Sequence, residues 1–204
     1  MKNSITLAIL SGGKASRMGG ADKALVKVEG KPIIIRIYEC LSSLFDEIII
    51  ISNTPGAEYS IPVDIYPDIL KNSCPLSGLH AALVHSTNGH VFVVPSDLPF
   101  PDKKIAQKII ANYLSLLPTA KIFIPRINDL AEPLFGIYSK QILPKVEEIL
   151  SDGSGHSMAE LHRSCETFYL DLPTTPSSRM AFFNINTPSD LISLSKSKQP
   201  KQIG

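Results

Sequence analysis

Ile5-Thr6-Leu7-Ala8-Ile9-Leu10-Ser11-Gly12-Gly13-Lys14-Ala15-Ser16-Arg17-Met18-Gly19-Gly20-Ala21-Asp22-Lys23 is a short apolar run that breaks into a loop with four glycines and three cations. Residues 5–10 read as a buried strand. Glycine at positive φ lets the backbone approach a ligand closely. Bare N–H groups beside Lys14, Arg17 and Lys23 offer what a nucleoside triphosphate needs. The loop fits neither G-x-x-x-x-G-K-[ST] nor G-x-G-x-x-G. A merely solvated glycine-rich loop is the plain alternative; the preceding strand and the density of cations favour phosphate binding. Arg17 would act as a fork and Lys23 as a point charge on different phosphates.

Working outward, apolar runs alternate with helical patterns. Strands are expected at 5–10, 47–52, 63–66, 91–95, 122–125 and 134–138, and helices at 32–43, 76–86, 103–117, 140–150, 158–163 and 189–195. That alternation implies an α/β fold, a three-layer α/β/α sandwich with a mostly parallel sheet. No repeat or linker divides the chain, so a single domain over residues 1–195 is expected. The polar segment 196–204 is expected to be a disordered tail.

Bulk properties narrow the function. The chain has 204 residues, 44% of them hydrophobic, which is enough for a folded core. A formal net charge of +1 leaves no global field to recruit nucleic acid or an anionic membrane. Cys40, Cys74 and Cys165 are scattered, without metal-ligand or disulfide spacing, which fits a reducing cytoplasm. The apolar run after Met1 is too short for a signal peptide, and no stretch approaches the roughly 18 apolar residues of a membrane span.

In open α/β sheets, ligands bind outside the carboxyl ends of the strands. Polar residues sit there repeatedly: the glycine loop, Asn53, Asp68, and Ser96-Asp97. A carboxylate ending a buried strand is costly unless paired or metal-bound. Mg²⁺ commonly takes one or two carboxylates plus substrate phosphates. Asp97 therefore reads either as a metal ligand or as a turn residue; Asp102 reads as a helix cap. Asp68 and Asn53 are ordinary turn residues when taken alone. Asn184 and Asn186, two apart after Ala181-Phe182-Phe183, face one side if that segment is extended; Thr187 then reads as a helix cap. The five histidines form no metal pattern. His85 and His90 read as exposed helix ends, and no nucleophilic triad is legible.

Taken in order, these motifs resemble the nucleotidyltransferases that act on the molybdenum cofactor. The segments are Leu10-Ser11-Gly12-Gly13 with Ser16-Arg17-Met18-Gly19 and Asp22-Lys23; Gly30-Lys31-Pro32; Cys74-Pro75-Leu76-Ser77-Gly78-Leu79; Ser96-Asp97-Leu98-Pro99-Phe100; and Phe183-Asn184-Ile185-Asn186-Thr187-Pro188-Ser189-Asp190-Leu191. They span nearly the whole chain. The resemblance implies a Rossmann-like nucleotidyltransferase in the guanylyltransferase branch of the family. The activity it implies is transfer of GMP from GTP to molybdopterin carrying molybdenum, with release of pyrophosphate. The implied nucleotide contacts are Leu10, Ser11, Gly12, Gly13, Lys23, Asn53, Asp68 and Asp97. Arg17, Lys23 and Asp97 are the implied catalytic residues, with Asp97 holding Mg²⁺. Gly12-Gly13 resembles the guanine-specific branch, whereas cytidine-specific relatives usually carry Ala-Ala-Gly. Partners implied are GTP, molybdopterin and, transiently, cofactor-biosynthetic proteins or acceptor enzymes. Ser11 stands where alanine is usual, Cys74 where glycine is usual and Ser96 where cysteine is usual. Residues 152–157 lack the arginines common in relatives. Two alternatives stay open: a related enzyme using CTP or a sugar-phosphate acceptor, and a non-catalytic nucleotide-binding module.

Overall fold

Period-two alternation sends each strand's side chains into two separate cores. In β1 (Asn3–Ser11), Ile5, Leu7 and Ile9 enter one apolar cluster, while Ala8 and Leu10 enter the other. In β6 (His90–Pro95), Phe92 and Val94 take the first side and Val91 and Val93 the second. A strand buried on both faces needs helices on both, and they are present in this computed structural model. It describes residues 3–12, 23–54, 59–70, 74–117, 119–152, 157–187, 189–191 and 194.

Helices α1 (Ile33–Leu41) and α3 (Lys103–Ser115) cover the first face with Ile33, Ile34, Ile37, Ile105 and Ile109. Helices α2 (Pro75–His85), α4 (Leu143–Ser151) and α5 (Met158–Ser164) cover the second with Leu76, Leu79, Val146, Ile149 and Leu161. Each such side chain contributes roughly 1.5–3 kcal/mol on full burial. The three-layer sandwich expected from the sequence is therefore the observed architecture.

The remaining sheet strands are β4 (Phe45–Ser52), β5 (Asp64–Tyr66), β7 (Ile122–Ile127), β8 (Leu130–Ala131), β9 (Gly136–Ser139) and β10 (Thr167–Asp171). Their order is β10-β7-β9-β6-β1-β4-β5, with β8 paired to β7. The β1–β4, β1–β6, β4–β5 and β7–β10 pairings are parallel. Strand β9 runs antiparallel between β6 and β7. Strand order reverses at β1, which opens a crevice beyond the carboxyl ends of β1, β4 and β6. A small ribbon, β2 (Lys27–Val28) with β3 (Lys31–Pro32), precedes α1. Its turn places Glu29 at φ 54° and Gly30 at φ 78°.

Several boundaries differ from the sequence expectation. The helix expected at 32–43 begins at Ile33, because Pro32 belongs to β3 and caps the helix in extended conformation. The helix expected at 140–150 opens with a 3-10 turn, Lys140–Ile142, and Pro144 lies in the first turn of α4. The strand expected at 134–138 starts at Gly136, since Phe135 N–H closes a turn onto the Glu132 carbonyl. His90 opens β6 instead of ending a helix, and its ring bonds the buried Tyr113 hydroxyl at 2.8 Å. His85 ends α2 as expected, but is only partly exposed, with its ring stacked on Tyr66 at 4.1 Å. Strand β10 and helix α6 (Pro176–Ala181) have no counterpart in the sequence expectation. The expected tail at 196–204 lies outside the described residues. Among the described residues, no helix is long and apolar enough to cross a membrane.

Candidate functional site

The carboxyl edge of β1, β4, β5 and β6 carries every described residue expected in the site. Leu10 is buried against α2: a Cβ built on Gly78 would lie 3.7 Å from Leu10 Cδ1 and 3.9 Å from Asp68 Oδ1. Helix α2 thus starts in the angle between the ends of β1 and β5. Ser11 is buried at the last position of β1, paired in register with Ser52 at the end of β4. The buried Tyr59 hydroxyl lies 3.1 Å from Ser11 Oγ and 2.9 Å from Ser52 Oγ. It ties the root of the glycine loop to the neighbouring strand. Gly12 is exposed and faces open space. Gly13 and Arg17, with the rest of the glycine loop through Asp22, lie outside the described residues.

After β4 and β5 two side chains clasp reciprocally. Asn53 Nδ2 donates to Asp68 Oδ2 at 2.7 Å, and Asp68 N–H donates to Asn53 Oδ1 at 2.9 Å. Asp68 Oδ1 accepts from none of the described residues. Burial pushes the Asp68 carboxyl up, while the Asn53 amide and the nearby His80 ring act in the opposite direction.

The second group forms beyond β6. Lys23 enters from a single 3-10 turn, Lys23–Leu25, that follows the glycine loop in the chain. Its Nζ donates to Asn186 Oδ1 at 2.8 Å and stands 3.8 Å from Asp97 Oδ2. Asp97 Oδ1 is buried with no hydrogen-bond partner among the described residues. Burial pushes the Asp97 carboxyl above its usual range, and the Lys23 ammonium opposes this in part. Asp97 also anchors the far end of the chain: its carbonyl accepts Ile185 N–H at 3.0 Å. The Asp190 carboxylate accepts the N–H groups of Asn186 and Thr187 at 2.8 and 2.7 Å, which fixes the Asn186 backbone.

The residues expected from sequence therefore form two groups on one edge, Asn53-Asp68 and Lys23-Asp97, with Leu10 and Ser11 at the end of β1 between them. Asn184 and Asn186 do not share a role. Residues 183–186 form no strand; Asn186 meets Lys23, and Asn184 is exposed. The Asp190 carboxylate accepts the Thr187 N–H while the Asp190 N–H bonds the Thr187 carbonyl, which keeps Thr187 at the capping position expected of it. Asp102 caps α3 as expected, accepting Lys104 and Ile105 N–H. Sequence reasoning missed Tyr59, which carries no local motif, and named Asp190 only within the closing segment, without its role on the Asn186 and Thr187 backbone. It also missed Glu132, a half-buried carboxylate ahead of β9 that burial pushes up and that has no side-chain partner among the described residues. Among the described residues, no three His, Cys, Asp or Glu side chains gather as a metal cage. A groove of about 630 Å³ at the opposite edge, lined by Tyr38, Phe45, Glu47 and Asp64, contains none of the expected residues.

Chemically, the edge offers an ammonium beside a carboxylate with one buried oxygen, a fixed amide–carboxylate pair, and a loop root. That set suits a polyphosphate with a recognised base or ribose. Comparison with known proteins agrees. The sequence profile of the MobA-like NTP transferase domain matches residues 7–166. A protein of Vibrio cholerae named molybdenum cofactor guanylyltransferase is 33% identical over 188 residues, covering 90% of this chain and 87% of its own. A probable molybdenum cofactor guanylyltransferase of Clostridium perfringens is 34% identical over 201 residues, covering 94% and 96%. The crystal structure of molybdopterin-guanine dinucleotide biosynthesis protein A from Archaeoglobus fulgidus superposes with a TM-score of 0.76 at 22% identity, covering 95% of this chain and all of that one, a likeness of fold.

Proposed function

The chain belongs to the MobA-like NTP transferase family, and on that premise we propose that it transfers GMP from GTP to molybdopterin carrying molybdenum, releasing pyrophosphate. The observation that carries this reading is the Lys23–Asp97 pair, in which one carboxylate oxygen is buried with no hydrogen-bond partner among the described residues. A buried acceptor left unsatisfied is expensive unless a ligand completes it. The relatives named as molybdenum cofactor guanylyltransferases, matched over nine-tenths of this chain, supply the acceptor and the nucleotide.

In the reaction, a terminal phosphate oxygen of molybdopterin attacks the α-phosphorus of GTP in line. The new P–O bond forms as the bond between the α-phosphorus and the bridging oxygen breaks, and pyrophosphate leaves with that electron pair. The attacking oxygen is already ionised at neutral pH, so no strong base is required. Catalysis is then positioning and charge neutralisation. Lys23, fixed by Asn186, holds an ammonium against the triphosphate. Arg17 and the amides of Gly12 and Gly13 cradle the remaining charge, and Leu10 and Ser11 form the floor. Asn53 and Asp68 recognise the guanine or the ribose.

The residues fit a magnesium ion. A single carboxylate with an unsatisfied oxygen matches a cation that keeps waters and takes the rest of its ligands from substrate phosphates, and Asp97 is the residue that would hold it. Bound Mg²⁺ would supply Lewis-acid stabilisation of charge on the phosphates. The reading places the enzyme in the cytoplasm, in transient contact with cofactor-biosynthetic proteins or acceptor enzymes.

The test is direct. The protein is mixed with Mg²⁺, molybdenum-loaded molybdopterin and GTP, CTP or UTP, and pyrophosphate and the dinucleotide product are measured. GTP-dependent release of both is expected. Turnover with CTP instead moves the reading to cytidylyl transfer, and no turnover with any nucleotide leaves a binding module.

A further inference from the structure

Lys23 and Asp97 lie on segments that their own contact does not hold together. The pair is 3.8 Å apart and about a quarter exposed on each side; such pairs contribute little to stability. Arg36 of α1 reaches both segments. Its Nε donates to the Pro99 carbonyl at 2.8 Å, two residues beyond Asp97. Its Nη1 donates to the Val28 carbonyl at 3.3 Å and pairs with the Glu29 carboxylate at 3.2 Å. The guanidinium also lies 5.0 Å from the centre of the Phe100 ring. Val28 and Glu29 belong to the ribbon that leads back to Lys23 through the Val26 N–H bond to the Lys23 carbonyl. Glu29 itself sits at a positive φ that a non-glycine residue adopts only when held there.

We infer that Arg36 is a positioning residue that clasps the Lys23 segment to the Asp97 loop and so sets the separation of ammonium and carboxylate at the triphosphate. The inference rests on the nucleotide site proposed above. It acts through geometry, since Arg36 bonds two carbonyls, a carboxylate and a ring, all outside the reacting groups. A planar fork serves these divergent acceptors at once, which a lysine ammonium on a flexible stem does not.

The full-length protein is made as Arg36→Met, Arg36→Lys and Ile37→Val. Ile37 is the next residue on the same helix and fully buried; its truncation weakens the fold without touching the clasp. Equilibrium binding of GTP and, in parallel, CTP is measured with increasing Mg²⁺ and no acceptor. Steady-state KM and kcat and the thermal midpoint are measured separately. Arg36→Met is expected to weaken Mg²⁺-nucleotide binding, raise KM and raise the half-saturating Mg²⁺ by about tenfold. Arg36→Lys recovers part of this, and Ile37→Val lowers the midpoint while leaving KM and the Mg²⁺ dependence unmoved. Binding and Mg²⁺ dependence within about twofold of wild type in Arg36→Met would overturn the clasp, as would an equal change in Ile37→Val. Should Arg36→Met not fold, Glu29→Ala, which removes one arm of the clasp, is expected to shift the same quantities in the same direction, and no shift there overturns it. Wild type that binds nucleotide but forms no product counts against the acceptor reading alone, because the binding comparison still decides the clasp.

Discussion

Asp97 is stable as a carboxylate only at some cost. Its Oδ1 is buried with no hydrogen-bond partner among the described residues, and burial pushes its carboxyl up. Asp97→Asn removes the charge at nearly constant volume. We expect transfer to fall by about 100-fold or more while the thermal midpoint stays level or rises, because the desolvation cost disappears. Activity above a tenth of wild type, measured by pyrophosphate release with Mg²⁺, would remove Asp97 from the mechanism. Lys23→Met keeps the stem and deletes the ammonium. Charge-assisted contacts are worth about 1.5–3 kcal/mol, so GTP affinity measured by calorimetry should fall roughly 10- to 150-fold. At this scale the sequence was informative where chemistry is local. Asp97 follows a run of valines, and Lys23 closes a loop of glycines. Tyr59 was illegible, because its two hydroxyl partners come from strands and its position depends on how residues 59 and 52 return to each other.

The elements show where pattern reading works and where it fails. Buried β1, β4 and β6 are unmistakable because each is apolar on both faces. Strand β10 escaped notice because it is a half-exposed edge strand with only a short alternation. Helix α6 is six residues long, and its evidence was a capping box, Thr175 with Ser178, ahead of any apolar periodicity. Strand β9 was recognised without its orientation. Gly136 supplies the reason it fits between β6 and β7: a Cβ there would stand 2.6 Å from Ile124 Cγ2 and 2.7 Å from the Phe123 carbonyl oxygen. Gly136→Ala should therefore destabilise the protein by about 1–3 kcal/mol in urea unfolding, with the slope unchanged. Helix α5 carries a pH-dependent stability contribution. Burial pushes His162 down to about 4, and its Nε2 lies 3.1 Å from the Tyr138 hydroxyl. The unfolded chain takes up that proton near pH 6.5 while the folded protein does not. The folded state is thus favoured in full above pH 6.5, and this stability is lost as pH falls from about 6.5 towards 4. Urea midpoints at pH 7 and pH 5 should differ less in His162→Gln than in wild type.

For the whole molecule, the proposed site draws on residues from Leu10 to Asn186, so ligand binding should stabilise the entire fold. At a hundredfold excess over Kd, GTP with Mg²⁺ should add about 2.7 kcal/mol, seen as an upward shift of the thermal midpoint that CTP does not match. An equal shift with both nucleotides would contradict guanine selectivity. The amino-acid sequence by itself determined the layered α/β class, the sheet edge at which the proposed site lies, and most of the polar residues on that edge. Those features come from neighbours in the chain: period-two apolar runs, glycine loops, and polar residues directly after strands. Only the tertiary structure decided that Asn186 meets Lys23 across 163 residues, that Tyr59 joins Ser11 to Ser52, and that Arg36 reaches both sides of the Lys23–Asp97 pair. These contacts require distant segments to be closed onto one another by the packing of two cores. No local pattern records which partners that packing brings within hydrogen-bonding distance.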